Sequence, residues 1–134
     1  MRSAEAITIP SAFFIHQKDF DMLILTADDV RKALPMSEAI QAMKDAYASL
    51  SNGTAVSPLR TRLPIPSHDA LSLFMPAYMK SDSGEALAVK VVSLFPNNPA
   101  RGLAYIQAAV LVLESDTGRA IALLEGSTLT AIRT

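Results

Sequence analysis

The chain has no cysteine, and its two histidines, His16 and His68, stand far apart. Without thiols there is neither a disulfide framework nor a thiolate metal site, and two isolated imidazoles offer no metal-ligand spacing. No charge of one sign is in excess either. Twelve Lys and Arg face thirteen Asp and Glu, giving a net charge of -1 with the cations scattered, so no electrostatic footprint for nucleic acid or an anionic membrane is present. Uninterrupted apolar runs fall well short of the ~18 residues that a membrane helix requires. Nor is a signal peptide expected. The run AITIPSAFFI is broken by Pro10, preceded only by Arg2 and followed by HQKDFD, where a cleavage site would need small residues. These absences fit a cytoplasmic address. What is there is 134 residues, 50% hydrophobic and 19% charged, enough for one domain with a core and too little for two ordinary ones.

Two strand-like runs dominate the pattern: ALAVKVVSLF (Ala86 to Phe95) and LAYIQAAVLVLE (Leu103 to Glu114). Between them, PNNPARG combines two prolines, two asparagines and a glycine. The ladder must stop there and the chain must bend, which makes the loop a candidate ligand rim. Upstream, residues 1–21 read as a poorly ordered extension, with Met22 opening a domain start. Met22 to Leu25 suggests a strand. Thr26 then caps a short helix with Asp29 at the reciprocal capping-box position. Pro35 starts a second helix, in which Ile40, Met43, Tyr47 and Leu50 form an expected core face and Gly53 the stop. From Ala55 the period becomes that of strands, giving five candidates that end with RAIALLEG. Ser115 to Gly118 reads as a hairpin turn joining antiparallel neighbours. Helices grouped before strands with short connections predict an α+β fold: two layers, a mostly antiparallel or mixed sheet with the N-terminal helices packed on it. GSTLTAIRT begins another helix, with Ser127 as candidate cap, and stops mid-helix, which suggests a truncated chain. No GxGxxG, Walker sequence or internal repeat occurs.

A few charged residues break this pattern. Lys90 shares a strand face with Ala88 and Val92, which are too small to cover an ammonium group. If buried, it needs a carboxylate, a ligand or a lowered pKa; if residues 86–95 form an edge strand, it simply faces water. Arg60 and Arg62, two apart in a strand candidate, project from one face and either grip a carboxylate or lie on a solvated surface. Arg133 sits near the start of the last helix, as an ordinary surface residue or as a partner for a carboxylate at the helix N-terminus. Neither a carboxylate dyad nor a Ser/His/Asp arrangement can be named.

The ordered segments LTADDVRKALPMSEAIQAM, SPLRTRLPIP, LFMPAY, LAVKVVSLFPNNPARGL, VLVLESDTG and ALLEGSTLTAIRT together resemble the N-terminal half of the ornithine cyclodeaminase/mu-crystallin family, over Leu23 to Thr134. The resemblance implies a substrate-binding and dimerisation domain over 22–126. It also implies a helix from 127 leading into a Rossmann domain, absent from this sequence, that binds NAD or NADP and carries the family's catalytic aspartate. By position, Arg60, Lys90 and Arg133 match residues that gather around a substrate carboxylate, and Met75 matches a pocket residue. Lys90 would also help position or deprotonate the amine. The implied activity is NAD(P)-dependent hydride chemistry at the α-carbon of a small amino acid or its imine, in a homodimer. One departure concerns the substrate. Where ornithine cyclodeaminases resemble Glu-Leu-Met-Pro, this sequence has Leu73-Phe74-Met75-Pro76, and a leucine cannot pair with a distal ammonium. Ornithine cyclisation to proline and ammonia is the alternative activity, and a non-catalytic binding module is the alternative of another class.

Overall fold

The structure, a computed structural model, describes residues 13–17 and 20–134. In chain order it comprises strands β1 (Phe13–Gln17) and β2 (Phe20–Leu25), then helices α1 (Ala27–Ala33) and α2 (Met36–Ser51). Strands β3 (Ala55–Val56), β4 (Thr61–Ile65), β5 (Ala70–Ser81), β6 (Gly84–Leu94), β7 (Ile106–Leu113) and β8 (Ala120–Glu125) follow, and helix α3 (Gly126–Arg133) closes the series. The strands form one sheet in the order β1-β2-β8-β7-β6-β5-β3, with β4 beside β3's place on β5. Every pairing is antiparallel except β2 with β8. This is the α+β, mostly antiparallel mixed sheet that the order of periodicities predicts. Part of the expected tail is instead a strand, since β1 pairs with β2 from Phe13↔Ile24 to Gln17↔Phe20. Residues 1–12 and 18–19 of that segment lie outside the described residues.

Local chemistry accounts for most element boundaries. Thr26 and Asp29 close the capping box of α1: Asp29 N donates to Thr26 Oγ1 at 3.3 Å, and Thr26 N donates to Asp29 Oδ2 at 2.9 Å. Pro35 precedes α2 as its N-cap, a place where a missing N–H costs nothing. Gly118 takes φ 73° in the β7–β8 turn, the left-handed conformation that favours glycine. The loop after β6 is held from inside by Asn98, whose Nδ2 donates to the Ala104 carbonyl at 2.9 Å. The candidate strand from Ala55 splits into β3 and β4, because Pro58 and its neighbours bow away between them. Opposite that bow, β5 continues through Pro76. On this side β4 pairs only up to Phe74 and β3 only from Tyr78, so the missing Pro76 N–H meets no strand that would need it.

All three helices lie on one face of the sheet. Helix α3 packs on β6 and β7, and both α1 and α2 pack against α3. The buried apolar residues are Val30, Ala39, Ala70, Leu73 and Val110, of which Leu73 and Val110 lie on the sheet face beneath the helices. The expected core face of α2 is different. Ala39 is buried, but Tyr47 is 65% exposed and Ile40 and Leu50 are about half exposed. Helical spacing identified the apolar stripe correctly, but α2 lies over the short, sparse β3 end of the sheet, and only Ala39 and Ser49 of this helix are buried.

Candidate functional site

Strand β6 is central, between β5 and β7, which rules out the edge-strand reading of Lys90. Cross-strand register sets Met75 on β5 and Val110 on β7 directly beside Lys90, with all three side chains on the helix-covered face. The lysine stem therefore runs beneath α3. Its Nζ donates to Thr130 Oγ1 at 2.7 Å, and Thr130 Oγ1 in turn donates to the Gly126 carbonyl at 2.7 Å. Burial, followed by the positive charge of Arg133, pushes the Lys90 ammonium below the usual lysine range.

These groups border a hollow of about 250 Å³. Its floor is Met75, Pro76 and Ala77 of β5 with Ala88 and Lys90 of β6, its back wall is Val110, and its roof is Leu129, Thr130 and Arg133 of α3. Ser57 closes the side where β3 and β4 part. Two cations thus share a mostly apolar hollow that no Asp or Glu lines. The ion pairs among the described residues, Arg31–Asp28, Lys80–Glu85 and Arg119–Glu114, involve neither of them. A site with this charge and this lining attracts a small anion carrying an apolar body, which a monocarboxylate provides.

Met75, Lys90 and Arg133 are brought together, and Arg60 is not. Arg60 is exposed and lies one residue before β4, outside the lining of the hollow. The β4–β5 register ends at Thr61↔Phe74, and one further step would set Arg60 opposite Met75, at about 5 Å between Cβ atoms. Arg62 borders a separate hollow with Asp69 and Tyr105. Arg133 is the eighth residue of α3, about two turns from the N-terminal amides, so an anion at its guanidinium would lie well away from them. The helix cap also differs from expectation. Glu125 accepts from Ser127 N and Thr128 N at 2.8 Å each, and Ser127 is the first residue it caps. The PNNPARG loop does not line the hollow. Thr130 and Ser57 went unnoticed in the sequence. A hydroxyl one turn before Arg133 on the same helix face was the available signal for Thr130.

The five glycines, Gly53, Gly84, Gly102, Gly118 and Gly126, are isolated from one another, so no glycine-rich turn exists to approach a pyrophosphate. No helix among the described residues is long and apolar enough to cross a membrane.

Comparison with known proteins identifies the family of this fold. The model of the ornithine cyclodeaminase/mu-crystallin family matches residues 20–134. A Δ1-pyrroline-2-carboxylate reductase from Bacillus cereus is 37% identical over 113 residues, which cover 84% of this chain and 34% of the relative. The structure of Thermococcus litoralis Δ1-pyrroline-2-carboxylate reductase in complex with NADH and L-proline superimposes with a TM-score of 0.77 at 43% identity, over 84% of this chain and 34% of that one. An archaeal alanine dehydrogenase dimer with bound NAD gives a TM-score of 0.76 at 27% identity, over 84% and 33% of the two chains. The chain therefore spans about a third of the length of the relatives it matches. With a family match over most of its residues and the same fold in these relatives, the chain belongs to the ornithine cyclodeaminase/mu-crystallin family.

Proposed function

We propose that this chain forms the substrate-carboxylate side of an NAD(P)-dependent enzyme that performs hydride chemistry at the α-carbon of a small amino acid or its imine. The observation that carries this reading is the pair Lys90 and Arg133 on one apolar hollow without a carboxylate among its lining residues. Such a pair repels itself when empty and is neutralised when an acid binds. Arg133 would hold the carboxylate, Lys90 would add charge and orient or deprotonate the amine, and Met75 would shape the floor. Arg60, exposed one residue before β4 and outside the lining of the hollow, would have to turn inward to join the grip. The hydride would pass to or from NAD or NADP, whose contacts would lie mainly outside these residues.

Leu73 supports a substrate without a second amine. It is buried and pairs with Val92 on the Lys90 face, two residues from Met75. An ornithine side chain directed there would leave its ammonium unpaired against leucine, which is costly. The proposed assembly is a homodimer formed through the sheet face that no helix covers.

Calorimetric titration of the chain with L-proline, L-alanine and L-ornithine tests the reading. Binding of the first two, weaker binding of ornithine, and loss of all three in Arg133→Met is the expected pattern. Preference for ornithine, or indifference to the Arg133 change, would overturn it.

A further inference from the structure

We propose that Thr130 is a positioning residue that fixes the Lys90 ammonium over the hollow by accepting one of its three protons. This rests on the reading above, in which the hollow takes a carboxylate. The hydroxyl of Thr130 has one proton, and that proton is committed to the Gly126 carbonyl at 2.7 Å. The oxygen that meets Lys90 Nζ at 2.7 Å can then only accept. Lys90 must donate, and two of its ammonium protons remain for the ligand. A neutral amine would still donate to Thr130, but the bond from an ammonium is charge-assisted and about twice as strong. The device therefore favours the charged form of a lysine that burial and Arg133 both push toward neutrality.

The anchor of this chain of hydrogen bonds does not slide. Gly126 is pressed so closely on β7 that a Cβ there would stand 2.9 Å from the backbone of Ala108 and Ala109, closer than carbon atoms approach without displacement. The Glu125 carboxylate fixes the same first turn by accepting from Ser127 N and Thr128 N. The height of α3 above the sheet, and with it Thr130 Oγ1, is thereby set by contacts outside the hollow. Arg133 on α3 is the other charged group lining the hollow, and Met75 from β5 and Val110 from β7 flank Lys90 without titrating.

The test compares Thr130→Val, which keeps the shape and removes the acceptor, with Thr130→Ser, which restores it, in the whole chain. Lys90 is titrated by NMR of its labelled side chain without ligand, and affinity for L-proline is measured separately. Valine should lower the Lys90 titration point further and weaken L-proline about tenfold or more, as expected for a lost bond to a charged group; serine should return both toward the original. Should the valine variant not fold, Thr130→Ala carries the same expectation. An unchanged Lys90 titration in the folded variant, or a serine variant that fails to rescue it, would overturn the role of Thr130. Because that titration needs no ligand, it decides the matter even if the unaltered chain binds no carboxylate, an outcome that would count only against the function proposed for the hollow.

Discussion

Lys90 occupies a position where a lysine works against the fold. Its pKa is lowered by burial and by Arg133, so between the lowered value and the usual lysine value of about 10.4 the unfolded chain binds more protons than the folded one. Stability therefore rises with pH across that window, and at neutral pH the charged lysine is a burden. Lys90→Met removes the burden together with the Thr130 bond, two effects of opposite sign. Thermal unfolding should shift by no more than about 1 kcal/mol equivalent, while affinity for small carboxylates falls at least about tenfold. A large loss of stability with intact binding would make Lys90 a structural residue. At this scale the sequence was informative where a residue broke a pattern. Lys90 interrupts an apolar strand and was visible for that reason. Thr130 is one hydroxyl among several in an ordinary helical segment, and its meaning arises only when β6 and α3 cross. Arg60 and Arg62 show the reverse case, because their alternation was plain but the end of β4 separates them.

Helix α3 joins the sheet to the hollow, and its first turn depends on one carboxylate. Burial pushes the Glu125 carboxyl up, but hydrogen bonds from Thr128 and Ser127 outweigh it and hold the group below the usual glutamate range. A depressed acid contributes stability that is present above its unfolded value and lost as the pH falls through the folded one. Urea unfolding of Glu125→Ala should show a deficit of about 1 kcal/mol near neutral pH. That deficit should shrink as the pH falls below about 4.3, where the native chain loses its own cap. A deficit independent of pH would mean that the side chain acts through packing and not through its charge. The elements themselves were largely legible, since capping box, turn glycine and strand period are local signals. The α2 face was not, because spacing identifies an apolar stripe without specifying how much sheet lies below it. The separation of β3 from β4 at the side of the hollow likewise depends on the stretch from Met75 to Ala77 where β5 is unpaired on that edge.

The molecule as a whole has an asymmetry that the helices cannot correct. They cover the face that carries Lys90, Leu73 and Val110, and the alternate residues of the same strands point the other way. On that second face Val89 and Leu123 pair with Leu111, and Val91 with Ala109 and Phe74; all six side chains remain part-exposed. The run AAVLVL (Ala108 to Leu113) is apolar at both alternate sets of positions, which is legible in the sequence, whereas which face the helices take follows from α3 packing on β7. Each valine, leucine or phenylalanine left in water forfeits roughly 1.5 to 3 kcal/mol relative to full burial, and a contiguous patch of this kind usually marks an interface. A second copy related by a two-fold axis presents an identical patch and closes the surface without leaving another open. Light scattering at micromolar concentration should therefore give twice the chain mass, and Leu111→Glu, at the centre of the patch, should return it to the single-chain value while Lys90 keeps its contact with Thr130. A monomer of 14.4 kDa for the unaltered chain would sink the two-fold arrangement, as would a Leu111→Glu variant that still runs as a pair, since two like charges buried at the axis would not tolerate each other.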